Sequence, residues 1–142
     1  MDKKLKMLVN AEIQSFNVNS GKITKISKVH NLVVNSGLDE IIDNGLSNVT
    51  TMAIGTDNTA VQATDTALGT QVASDSVVYS NEGTGIRLFD KTFTFGSGDE
   101  YTIVEAGLFA GATMFNRLVF SGHDVDVNNG VRVKITVTLV TA

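Results

Sequence analysis

The run "VRVKITVTLV", residues 131–140, limits the fold more than any other stretch of the chain. Val131, Val133, Ile135, Val137 and Leu139 occupy alternate positions, with Arg132, Lys134, Thr136 and Thr138 between them. Successive side chains of a strand point to opposite faces, so as a strand this run is apolar on one side and polar on the other. Wound into a helix, the same residues would spread both sets around the circumference. The alternation predicts a strand with one buried and one wet face, the pattern of an antiparallel sheet laid on a core.

The rest of the chain repeats the theme in shorter pieces. Residues 86–95, 102–110 and 114–120 read as strands, with Phe93 and Phe95 on one face of the first. Residues 77–79 and 22–34 complete the set. The chain has no proline, so turns fall to Gly, Asn, Asp and Ser, which cluster as "NVNSG", "SNEGTG", "GSGDE" and "DVNNG". The last cluster predicts a tight turn that pairs residues 125–127 with the start of the final strand. One segment reads as helix. "NSGLDEIIDNGL" places Leu38, Ile41 and Ile42 on one side, with Ser36 or Asn35 as N-cap and Gly45 near the end. Many short strands with little helix predict an all-β fold, an antiparallel β-sandwich that is jelly-roll-like and carries one short helix.

Length and charge remove several classes of function. A chain of 142 residues reads as a single domain overall. It contains no cysteine, so disulfide frameworks and thiolate metal sites are excluded. Its net charge of −4 and pI of about 5.0 argue against nucleic acid as a partner, because phosphate binding needs clustered positive charge. No apolar run approaches the length of a membrane span. The start "MDKKLKMLVNAEIQ" is basic, but its apolar run is too short for a signal peptide, so the chain is expected to fold in a cytoplasm.

The stretch "MAIGTDNTAVQATDTALGTQV", residues 52–72, raises the question of a phosphate-cradling loop. Such loops bring backbone amides together and usually add a lysine. This one has no Lys or Arg and carries Asp57 and Asp65. It is expected to connect one end of the sandwich, ordered by side-chain turns at Asp57, Asn58 and Asp65. Asp124, Asp126 and Asn128 alternate like the start of a calcium loop, but Asn129 and Ile135 stand where that loop needs Gly and Glu. His123 lacks a second His or a Cys beside it, and His30 reads as a strand-edge or interface residue. Asp99 and Glu100 read as a solvated turn. Glu105 lies inside the apolar run "IVEAGLF", where a carboxylate needs a partner, and Arg87, Arg117 or Arg132 is available for a structural pair. No catalytic, cofactor-binding or metal-binding residue is expected.

Residues 1–28 are expected to form an N-terminal arm or first strands, ahead of a β-sandwich spanning 29–142. Leu5, Leu8, Val9 and Phe16 fall roughly on one side of a helix, although a first strand fits as well. Lys3, Lys4 and Lys6, with Leu5 and Leu8 between and after them, are the candidate partner-binding residues, since grouped lysines on an acidic chain favour an acidic neighbour.

The order of segments carries one further signal. "HNLVVNSGLDEIIDNGL" is followed by "MAIGTDNTAVQATDTALGTQV", a strand pair, "TIVEAGLFAGATMFNRLVFS" and the final strand. Over residues 29–139 this resembles a group of small tailed-bacteriophage virion proteins: capsid decoration proteins, head or neck fibres and tail-fibre adaptors. The resemblance implies a structural virion protein with no enzymatic activity and no cofactor, made in the bacterial host cytoplasm and built into the particle. It would bind other virion proteins (major capsid, neck or tail proteins) and form a homo-oligomer. A position on the capsid or neck is the first expectation, and a tail-fibre or baseplate attachment module the second. A carbohydrate-binding sandwich for host adhesion is a further alternative, for which Tyr79, Tyr101 and seven Phe are available but no Trp.

Overall fold

The alternating C-terminal run is strand β10 (Asn129–Thr141), and it lies at the centre of the first sheet. The structure, a computed structural model, describes residues 5–30 and 32–141. Val131, Val133 and Ile135 are fully buried, while Arg132, Lys134 and Thr136 reach the other face as the period-two pattern requires. Leu139 departs from that pattern and is 43% exposed, because the end of β10 lies beyond the packed part of the sandwich.

Around β10 the order is β2 (Ile23–His30), β1 (Leu5–Asn17), β10, β7 (Ile86–Phe93), β6 (Ser80–Gly83). The second sheet has the order β3 (Leu32–Val33), β9 (Thr113–Val125), β8 (Tyr101–Ala110), β4 (Thr51–Gly55), β5 (Gln71–Ser76). The pairings within each sheet are antiparallel. The chain deals its hairpins to the sheets in turn: β1–β2 to the first, β4–β5 to the second, β6–β7 to the first, β8–β9 to the second, then β10 back to the first. This is the expected all-β sandwich. Ile13, Phe89 and Ile135 of one sheet meet Ile54, Ile103 and Leu118 of the other in a single core. Val34 and Leu68 cover the opposite face of the second sheet, where they pack on Ala53 and Met114.

Several expectations are corrected. Of the arm and the first strands expected for residues 1–28, the described residues form strands, so the sandwich takes in the chain from Leu5. β1 pairs along its whole length with β10, from Leu5↔Thr141 to Asn17↔Asn129, and it pairs with β2 on its other side. Val9, Ala11 and Ile13 enter the core on a two-residue period, so the strand reading displaces the helix. The "NNG" turn does not join neighbouring strands of one sheet. It carries the chain from one sheet to the other, and only Asp126↔Asn129 bridges across it. Residues 77–79 are such a crossing too, and not a strand.

The helix α1 (Asn35–Asn44) is where expected, but its buried face is not. Leu38 is 47% and Ile42 84% exposed, and only Ile41 of the three packs on the core. Neither Asn35 nor Ser36 caps it; the N-cap is Val34, without a side-chain hydrogen bond. A bulge in β9 sets its position instead. Asn116 lies opposite Leu108 and Met114 opposite Phe109, which leaves Phe115 without a partner in that ladder. Val34 N–H donates to the carbonyl of Phe115 at 3.3 Å and the Ser36 hydroxyl to that of Met114 at 2.7 Å. Gly37 lies so close that a Cβ there would overlap the Phe115 carbonyl.

Candidate functional site

The loop between β4 and β5 does bring backbone amides together, and a side chain of the protein itself fills the place of an anion. The Glu105 carboxylate, on β8 and fully buried, accepts N–H groups from Asp57 (2.9 Å), Gly69 (2.8 Å) and Thr70 (2.9 Å). Its partner is Arg117 on β9, whose Nε donates at 3.0 Å. Arg117 then reaches into the loop, donating to the carbonyls of Asp57 (3.2 Å) and Thr59 (3.0 Å) and to Asp65 (3.2 Å). Of the three arginines offered by the sequence, the structure selects Arg117, because its position is diagonal to Glu105 across the β8–β9 ladder. Local turns finish the loop: Thr59 N–H donates to Asp57 and Gln62 N–H to Asp65. The Thr59 hydrogen bonds hold the Asp57 carboxyl below its usual range. A buried carboxylate satisfied this completely has no oxygen left for substrate work.

His123 is fully buried between the sheets. The alternation of β9 breaks just before it: Phe120 and His123, three residues apart, are both buried, and the β8–β9 register shifts over the same stretch. One ring nitrogen meets the Ser15 hydroxyl of β1, and the other meets Ser27 of β2 at 2.8 Å. Ser27 also touches Ser121 at 3.0 Å, and Lys25 donates to the Gly122 carbonyl. Burial, with the nearby Lys25 charge, lowers the His123 pKa from 6.5 to about 4. The ring is neutral at pH 7 and joins the β1–β2 hairpin to the second sheet. His30 lies at the outer edge, on β2, and meets Asn10 at 2.7 Å.

Of the candidate partner-binding residues, Lys3 and Lys4 lie outside the described residues. Leu5, Lys6 and Leu8 fall on β1, opposite Thr141, Val140 and Thr138. Lys6 is exposed and Leu8 is 40% exposed. The structure thus brings these three into the sheet. Further along, the outer face is polar, with Lys28, Glu12, Lys134 and Asp90 in one row across four strands. Glu12 lies 3.8 Å from Lys28 and 4.0 Å from Lys134. Arg132 grips Asp90 through two hydrogen bonds, which holds the Asp90 carboxyl below its usual range.

The calcium-like turn is closed on itself. One Asp126 oxygen accepts the N–H groups of Asn128 and Asn129 and the Asn129 side-chain amide. Among the described residues, no cluster of three His, Cys, Asp or Glu is placed to hold a metal ion, and no helix is long and apolar enough to cross a membrane.

Among the described residues, a hollow of about 520 Å³ opens on the outer face beside Glu12, Lys28, His30 and Lys134, and a groove of about 450 Å³ lies at one end of the sandwich. Met7, Val137 and Leu139 form one wall, Ile41 and Leu46 the other, and Tyr79 and Arg87 close it. Arg87 lies 5.7 Å from the Tyr79 ring centre and donates to Asn81 and to two carbonyls. Ile42, next along α1 from the groove-lining Ile41, is 84% exposed. Sequence reasoning missed this place, because its walls come from both termini of the described chain, the middle and the helix. The only available signal was Leu38–Ile42, which the helical pattern assigned to the core. Comparison with protein-family models, with curated proteins and with solved structures finds no match to this chain. Fold and site therefore define an all-β sandwich with an internally clamped loop and an apolar end groove.

Proposed function

We propose that the chain is a structural component of a tailed-phage particle, placed on the capsid or neck, that works by binding other virion proteins and performs no catalysis. The observation that carries this reading is the distribution of its chemistry. The buried ionisable groups Glu105, Arg117 and His123 have their polar atoms committed to holding a loop and a hairpin. One of the open hollows is an apolar groove, which suits contact with protein. The order of segments over residues 29–139 supports the phage setting.

Host adhesion through a sugar would need an aromatic platform. Both tyrosines are engaged within the chain: Tyr79 packs edge-on to Phe89 beneath Arg87, and Tyr101 packs against Phe95. A gold-labelled copy of the protein, located in micrographs of purified particles, tests the proposal. Label on the shell or collar is the expected result. Label at the tail tip would favour the tail-fibre or baseplate alternative, and particles free of the protein would overturn the virion reading.

A further inference from the structure

We infer that the end groove receives a second copy of this chain, in a two-fold dimer in which Ile42 of each copy seats in the groove of the other. The inference deepens the assembly reading and rests on it only in taking the groove as a contact surface.

The first observation is the pairing of a knob with a hole. Ile42, at 84% exposure, is second only to Val78 among the exposed large apolar side chains of the described residues, and Ile41, the residue before it on α1, lines the groove. An isolated domain gains nothing by presenting such a side chain next to an apolar hollow that it cannot fill itself. When a projection and a matching hollow lie side by side on one surface, a two-fold rotation satisfies both at once, which is the condition for an isologous interface. The exposed part of Leu139 lies on the opposite wall and would be covered by the same step.

The second observation is charge. Arg87 stands on the sheet side of the groove, whereas α1 carries Asp39, Glu40 and Asp43 around Ile42. Among the described residues, no carboxylate lies within ion-pair distance of Arg87, and no cation lies within that distance of the three acids. Rotating a second copy onto the groove brings acidic helix to arginine twice. A groove made for an unrelated apolar peptide would have no need of this opposed arrangement. Complementary charges of this kind steer encounter and fix register, while the central apolar contact supplies most of the affinity.

Sedimentation equilibrium of the purified full chain at micromolar concentrations tests the inference. The expected mass is twice the 15.1 kDa of the chain. Ile42→Asp should weaken self-association by more than about tenfold, as loss of a central apolar anchor does. Its circular dichroism should match the parent, because the side chain is outside the core, and its melting temperature should match at concentrations too low for the parent to dimerise. Arg87→Glu should also weaken the dimer, and Arg87→Glu combined with Asp43→Arg should recover part of the loss. A parent chain that stays monomeric, an Ile42→Asp variant that still dimerises, or an Ile42-dependent assembly of odd order would each overturn the two-fold dimer. The failures are separable. A monomer that still enters particles sinks the dimer and spares the virion reading; a dimer that enters none does the reverse.

Discussion

Glu105 and Arg117 form a buried ion pair, 3.0 Å apart, between neighbouring strands, and between them they hold both the amides and the carbonyls of the loop that crosses the sheet end. Removing one partner leaves the other charged and without its counter-ion in the interior, which typically costs about 3–5 kcal/mol. Arg117→Ala and Glu105→Ala are each expected to lose stability in that range in urea titrations. The double variant should lose clearly less than the sum, since the two act as one unit. Losses under about 1 kcal/mol for either single change would show that the loop is held by other contacts.

His123 makes stability depend on pH in a window of its own. Its folded pKa is about 4, below the 6.5 of the free side chain, so the fold favours the neutral ring. The stability this provides is complete above pH 6.5 and is lost as pH falls towards 4, where the unfolded chain takes up a proton that the folded chain refuses. Chemical denaturation from pH 7 to pH 4.5 should show a fall on the order of 2 kcal/mol. His123→Gln should flatten that slope. The carboxyls of Asp57, Asp75, Asp90 and Asp126, all held below their usual range, add their own losses only at lower pH. An unchanged slope in the variant would remove His123 from the account.

Gly37 offers a test in which two effects oppose each other. Alanine is the better helix former by about 1 kcal/mol. A Cβ at this position, however, would overlap the Phe115 backbone, which cannot move without disturbing the β9 bulge. Overpacking of this kind typically costs about 1–3 kcal/mol, so Gly37→Ala should lower the melting temperature. A more stable variant would mean that α1 shifts freely on the sheet.

A shortened N-terminus distinguishes strand from arm. Deleting residues 1–8 removes the positions that pair with residues 138–141 and uncovers part of the groove through loss of Met7. The truncated chain is expected to melt at clearly lower temperature than the parent. An unchanged melting temperature would return these residues to the role of a detachable arm.

The sandwich was legible in the sequence wherever one face of a strand is dry and the other wet. β10 shows this most plainly, because Val131, Val133, Ile135 and Val137 face a core while Arg132 and Lys134 face water. Glu105 was legible for the same reason in reverse: a carboxylate in an apolar run demands a partner. Which arginine answers it was decided by the β8–β9 register, a contact between strands that no local pattern encodes. Irregular pairing hid the rest. The bulge at Phe115 seats α1 and leaves Leu38 and Ile42 outside, although helical periodicity assigns them to the core. The broken period after Phe120 turns His123 inward to two hydroxyls supplied by β1 and β2. Local periodicity determined which stretches are strands, because it follows from the geometry of one extended chain. Pairing partners, bulges and the end groove depend on where distant strands meet, and only the tertiary structure decided those.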